Sequence, residues 1–195
     1  TVDVTETVNV AIAAVNDAPT ISTTTSLSTD EDTAIAAIAF SGSDVDGDDL
    51  TFSFSNPAKG TVTNNDDGTF SYTPNANANG TDSFTITAND GTVDVTETVN
   101  VAIAAVNDAP TISTTTSLST DEDTATAAIA FSGSDIDGDD TLTFTFSDPA
   151  NGTVTNNNDG TFSYTPDANA NGTDSFTITA NDGTVDVTET VNVAI

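Results

Sequence analysis

A chain of 195 residues with 31 Asp and Glu, Lys59 as its only basic residue and a formal net charge of −30 is a polyanion. It cannot neutralise phosphates, which excludes nucleic acid as a partner and, for the same reason, disfavours direct contact with an anionic membrane. Without Cys or His, hydrolytic triads and thiolate or imidazole metal sites lack their parts; the hard oxygens that remain suit calcium or magnesium.

The segment TVDVTETVNVAI opens the chain at Thr1 and returns at Thr92 and Thr184. Residues 1–15 therefore read as the last strand of an absent preceding repeat plus its linker, a strand expected to fray or borrow a partner. The linker Val15-Asn16-Asp17-Ala18-Pro19 recurs as Val106-Asn107-Asp108-Ala109-Pro110. Proline forces the preceding Ala into an extended conformation and ends one strand before the next begins. This divides the rest into repeat 1, residues 16–106, and repeat 2, residues 107–195. The two copies differ at seven aligned positions, among them Ile35/Thr126, Lys59/Asn151 and Asn75/Asp167, plus the inserted Thr141. Near identity means one fold used twice, and it argues against an active site unique to either copy.

Within repeat 1 the spacing predicts seven strands and no helix: Thr20 to Leu27, Ala34 to Phe40, Leu50 to Ser55, Gly60 to Thr63, Thr69 to Thr73, Ser83 to Ala88 and Val99 to Ile103. Alternation at Phe52/Phe54, Phe70/Tyr72 and Phe84/Ile86/Ala88 puts one side of each strand on a core and leaves Thr and Ser in water. Asp67-Gly68 and Asp159-Gly160 signal hairpins. Seven short strands in about 91 residues fit an all-β Greek-key β-sandwich of the immunoglobulin-like kind.

In that topology alternate loops share an end of the sandwich. Asp135, Asp137, Asp139, Asp140, Asp159 and Asp182 of repeat 2 are expected beside the linker Asn107 and Asp108. Asp30, Glu31 and Asp32 of repeat 1, helped by Asn75, Asn77 or Asp82, are expected to reach the same junction from the other side. Acids so gathered would repel one another without cations. The run Asp44-Val45-Asp46-Gly47-Asp48 begins like an EF-hand loop, but Asp49 and Ser55 stand where Gly and Glu are needed. Paired carboxylates could serve a glycosidase, yet these sit on loop rims in both copies with no aromatic cleft, so no enzyme is expected.

The linker VNDAP, the EDT segment, DxDGDxLTF, GTF-SYTP and FTITANDG, in this order over both full repeats and the leftover strand, resemble the bacterial cadherin-like tandem repeats of giant repetitive adhesins, including those exported with calcium-binding RTX tails. The resemblance implies immunoglobulin-like sandwiches, calcium at the junctions and an extracellular or cell-surface stalk. It places Glu31 and Glu122 at the early glutamate, Asp44/Asp46 and Asp135/Asp137 at the paired aspartates, Asp90 and Asp182 in the Ala-x-Asp turn, and Asn16-Asp17 and Asn107-Asp108 in the linker. The chain departs from animal cadherins at Ala14 and Ala105, where a linker aspartate is expected, and at Asn75 and Asn77. The expected role is a calcium-rigidified spacer whose partners are neighbouring repeats of the same chain. The alternative is an adhesive module recognising carbohydrate or identical repeats.

Overall fold

A computed structural model describes residues 1–138 and 141–195. The chain divides into two compact units, Thr1–Val106 and Asn107–Ile195. Among the described residues it is all-β with no helix.

Unit 1 carries β1 (Thr20–Thr23), β2 (Ser26–Asp30), β3 (Ile35–Ser43), β4 (Thr51–Phe54), β5 (Gly60–Asn64), β6 (Thr69–Pro74), β7 (Gly80–Asn89) and β8 (Asp94–Ala104). They form two four-stranded sheets, ordered β1-β3-β6-β5 and β2-β8-β7-β4. The predicted single strand from Thr20 to Leu27 is divided. Its first half pairs antiparallel with β3, and its second half crosses to the other sheet to pair parallel with β8. The Thr25 carbonyl, just before the second half, accepts from the Asn100 N–H and so extends the cover on the outer edge of β8. The last strand is longer than the pattern suggests, because the alternation continues back to Asp94, paired with Asn89.

The inward side chains of the two sheets meet in one core of Phe70, Tyr72, Phe84, Ile86, Val99, Val101 and Ile103, joined by Phe40, Phe52 and Phe54. Aromatic rings meet edge to face, as at Phe40–Phe52 with centroids 5.0 Å apart, and Tyr72 stacks on Phe84 at 6.2 Å. Such pairs add to the area that burial removes from water. Gly60 is required where β5 passes this core, since a Cβ there would lie 2.5 Å from the Tyr72 ring.

Unit 2 repeats the plan with β9 (Thr111–Thr114), β10 (Ser117–Ser119), β11 (Ile129–Ser134), β12 (Thr143–Phe146), β13 (Gly152–Asn156), β14 (Thr161–Pro166), β15 (Thr173–Asn181) and β16 (Asp186–Ala194). Its sheets are β13-β14-β11-β9 and β10-β16-β15-β12. One difference follows a substitution. In unit 1, β3 starts at Ile35 with a bulge in which Ala37 takes φ 56°. In unit 2, Thr126 replaces that Ile, its hydroxyl accepts from the Tyr164 N–H, and β11 begins only at Ile129.

Residues 1–19 lie in no strand. Val2, Val4, Val8, Val10 and Ile12 are 78–92% exposed, whereas Val99, Val101 and Ile103 of the identical segment in β8 are core residues.

Candidate metal centre

The loop between β3 and β4 turns at Gly47, φ 83°, and folds its acids together. One carboxylate oxygen each from Asp44, Asp46 and Asp48 lies within 4.8 Å of the others. At that spacing each pair of like charges repels by about 1 kcal/mol even in the dielectric of water. The Asp46 N–H donates to Asp44 Oδ1 at 2.8 Å. Asp44 Oδ2 is shut off from solvent and accepts no hydrogen bond from the described residues. A carboxylate oxygen buried without a donor costs free energy unless something positive meets it.

The linker closes over this loop. The Asp17 N–H donates to Asp46 Oδ2 at 2.7 Å, and Asn16 Nδ2 donates to Asp90 Oδ2 at 3.0 Å. Asp90, in the turn between β7 and β8, takes the Thr92 and Val93 N–H groups on its other oxygen, both at 2.7 Å. The Val93 N–H first, then the Asn16 amide and the Thr92 N–H, hold the Asp90 carboxyl below the usual carboxylate range. The structure thus brings Asn16, Asp17, Asp46 and Asp90 together at the end of the sandwich where the chain enters, with Asp44 and Asp48 beside Asp46.

Unit 2 repeats this wiring. The Asp137 N–H donates to Asp135 Oδ1, the Asp108 N–H to Asp137 Oδ2, both at 2.9 Å, and Asn107 Nδ2 to Asp182 Oδ2 at 3.0 Å. The Asn107 amide first, then the Val185 and Thr184 N–H groups, lower the Asp182 pKa. Among the described residues Asp135 Oδ2 is likewise buried without a donor, matching Asp44 Oδ2. Asp139 and Asp140 lie outside the described residues.

Glu31 lies at the other end of unit 1, where β2 and the parallel β8 finish. It is 4% exposed. Its Oε1 accepts the Val106 N–H at 2.6 Å and its Oε2 the Asn79 amide at 3.3 Å. Asp32, at φ 57°, accepts the Asn77 N–H at 3.0 Å, and Asp123 does the same for Asn169. Glu122 is exposed. Composition gave no sign that Asp32 and Asp123 would hold these loops.

Asp82, one of the residues expected to help at the junction, lies near the start of β7 and has both oxygens occupied. Its carboxylate accepts the Tyr72 hydroxyl at 2.7 Å and the N–H groups of Ala58, Lys59 and Ser83. Burial opposes ionisation, but these four donors outweigh it and keep the carboxyl below its ordinary range; burial and the adjacent Asp82 push the Tyr72 hydroxyl far up. Both oxygens of Asp82 are engaged in tying the sheets together, and Tyr164–Asp174 repeats the pair at 2.7 Å. The recurrence of Tyr ten residues before Asp in both copies was the available signal.

Oxygen ligands only, carboxylates in excess, and a buried orphan oxygen at the same place in each unit fit a hard divalent cation. Residues 16–105 match the family model of the bacterial cadherin-like domain, and residues 107–194 that of the bacterial Ig domain. A comparison with curated proteins gives no match. Among solved structures the chain is similar to human protocadherin-24 EC1-2, at 15% identity and TM-score 0.50, covering 92% of this chain and 98% of that one. It is also similar to extracellular cadherin domains 3-6 of protocadherin gamma B2, at 13% identity and TM-score 0.50, covering 91% and 47%. At these identities the likeness is one of fold. An endo-fucoidan hydrolase of glycoside hydrolase family 107 aligns at 20% identity and TM-score 0.41 over 90% of this chain, which spans 28% of that enzyme's length. Cadherin-like and Ig domains are typically non-enzymatic, cadherin-like domains generally bind calcium, and the bacterial ones are typical of extracellular surface proteins. No helix among the described residues is long and apolar enough to cross a membrane. With one β-sandwich matched by each of the two family models, the chain is a tandem of cadherin-like, immunoglobulin-like domains.

Proposed function

We propose that the two units are calcium-binding spacer repeats of a large bacterial surface adhesin, stiffened by the ion and holding a distal binding module away from the cell. The observation that carries this reading is the buried, donorless oxygen of Asp44 within the Asp44–Asp46–Asp48 group, matched by Asp135 in unit 2. Asp44, Asp46 and Asp48, with Asp90 and the linker residues Asn16 and Asp17, supply the oxygens in unit 1. Asp135, Asp137 and Asp182 with Asn107 and Asp108 supply them in unit 2. Glu31 and Glu122 are assigned to the ligand set at the opposite ends of their units.

A bound divalent cation supplies positive charge to these carboxylates, and the residues do the rest: they gather the linker onto the sandwich and set its direction. Near identity of the units supports a repeated mechanical part over a recognition surface, because recognition is commonly carried by loops that differ between copies. Calorimetric titration of the chain with calcium, paired with small-angle scattering in calcium and in chelator, tests the reading. Saturable binding together with a loss of rigidity on chelation is expected. No binding heat and an unchanged profile would overturn it in favour of a calcium-independent stalk or an adhesive module.

A further inference from the structure

We propose that the linker is fastened to its units by carboxylate-to-amide hydrogen bonds that need no cation, so that calcium fills a site whose mechanical framework already stands. This deepens the reading above, since it concerns the regulation of the same carboxylates, yet the two can fail separately.

Consecutive residues of the linker are held within the unit to which each belongs. Val106, the last residue of unit 1, gives its N–H to Glu31 at 2.6 Å. Asn107 and Asp108, the first residues of unit 2, bind Asp182 and Asp137 at 3.0 and 2.9 Å. The preceding linker is fastened in the same way, through Asn16 to Asp90 and Asp17 to Asp46. Every acceptor is a carboxylate, and hydrogen bonds to ionised acceptors are roughly twice as strong as neutral ones. Glu31 is deeply buried, which strengthens its bond further. At the Asp17 and Asp108 amides, the oxygen that fastens the linker and the oxygen without a donor belong to different carboxylates. Asp46 Oδ2 and Asp137 Oδ2 hold the linker amides, while the orphans are Asp44 Oδ2 and Asp135 Oδ2. Loss of the ion leaves these two amides fastened.

Amide hydrogen exchange of the full 195-residue chain in excess chelator tests this. The Asp17, Val106 and Asp108 amides should exchange about tenfold or more slowly than an unstructured chain, in line with a hydrogen bond to a charged acceptor. Glu31→Ala should release Val106 alone and Asp137→Ala should release Asp108 alone, with the core amides of Phe84 and Phe176 reporting that each unit stays folded. If these linker amides exchange at unstructured rates in chelator and slow only when calcium is added, the cation does the fastening and the proposal is overturned. If calorimetry shows no calcium binding while the linker amides stay protected, the spacer reading loses its ion and the fastening stands.

Discussion

Replacing Asp44 and Asp135 together by Asn should change stability in opposite directions with and without calcium. In chelator, Asn keeps the Oδ1 acceptor for the N–H two residues on, at 2.8 Å in unit 1 and 2.9 Å in unit 2. It also removes the buried oxygen that has no donor, and its amide can donate to the neighbouring carboxylates. Losing two like-charge contacts of about 1 kcal/mol each in unit 1, those with Asp46 and Asp48, should leave unit 1 as stable as the parent or up to about 2 kcal/mol more so. In calcium at a hundred times its dissociation constant, the parent gains about 2.7 kcal/mol per site, worth roughly 10–20 °C of melting temperature for units of this size. The variant should lose most of that gain. Thermal melts followed by circular dichroism, with chelator and across a calcium titration, give both numbers. A variant that retains the full calcium shift would mean that these oxygens are not ligands. A variant that melts lower in chelator would mean that Asp44 supports the fold itself.

Four further substitutions probe the scaffold beneath the site. Tyr72→Phe removes a charge-assisted hydrogen bond to Asp82 and should cost about 1.5–3 kcal/mol at neutral pH, measured by urea denaturation. The folded pKa of Asp82 is depressed, so its contribution is present above the unfolded value near 4 and lost as pH falls through the folded value. The penalty of Tyr72→Phe should therefore shrink in acid, and a penalty that grows instead would refute this account. Gly152→Ala places a Cβ 2.5 Å from the Tyr164 ring and 2.6 Å from the Thr165 carbonyl oxygen, and because backbone cannot yield cheaply a loss of about 1–3 kcal/mol is expected in the same assay. Ala37→Gly should stabilise unit 1 by about 0.5–1 kcal/mol, since Ala37 holds φ 56°. The matching Ala128→Gly should destabilise unit 2 by a similar amount, because Ala128 is not among the residues with positive φ; equal effects of the two would show that the bulge is not the cause.

The repeat, most of the strands and the chemistry of the acids are legible in the order of residues alone. Period-two alternation at Phe70/Tyr72 and Phe84/Ile86/Ala88 is a local property, and it put the correct residues in the core. The absence of His and Cys restricted any metal site to oxygen ligands. What each carboxylate does was decided only by tertiary structure, because its partner comes from far along the chain. Asp46 meets the Asp17 N–H across 29 residues, Asn16 meets Asp90 across 74, and Glu31 meets Val106 across 75. Composition cannot separate Asp44, which keeps an orphan oxygen, from Asp82, whose oxygens are filled by four donors. Pairing decided the division of the first strand as well: Thr20 to Leu27 reads as one continuous segment, and the open edges of two different sheets draw its halves apart. A side chain's type is written in the sequence, but the number of donors around it is set only when the fold closes.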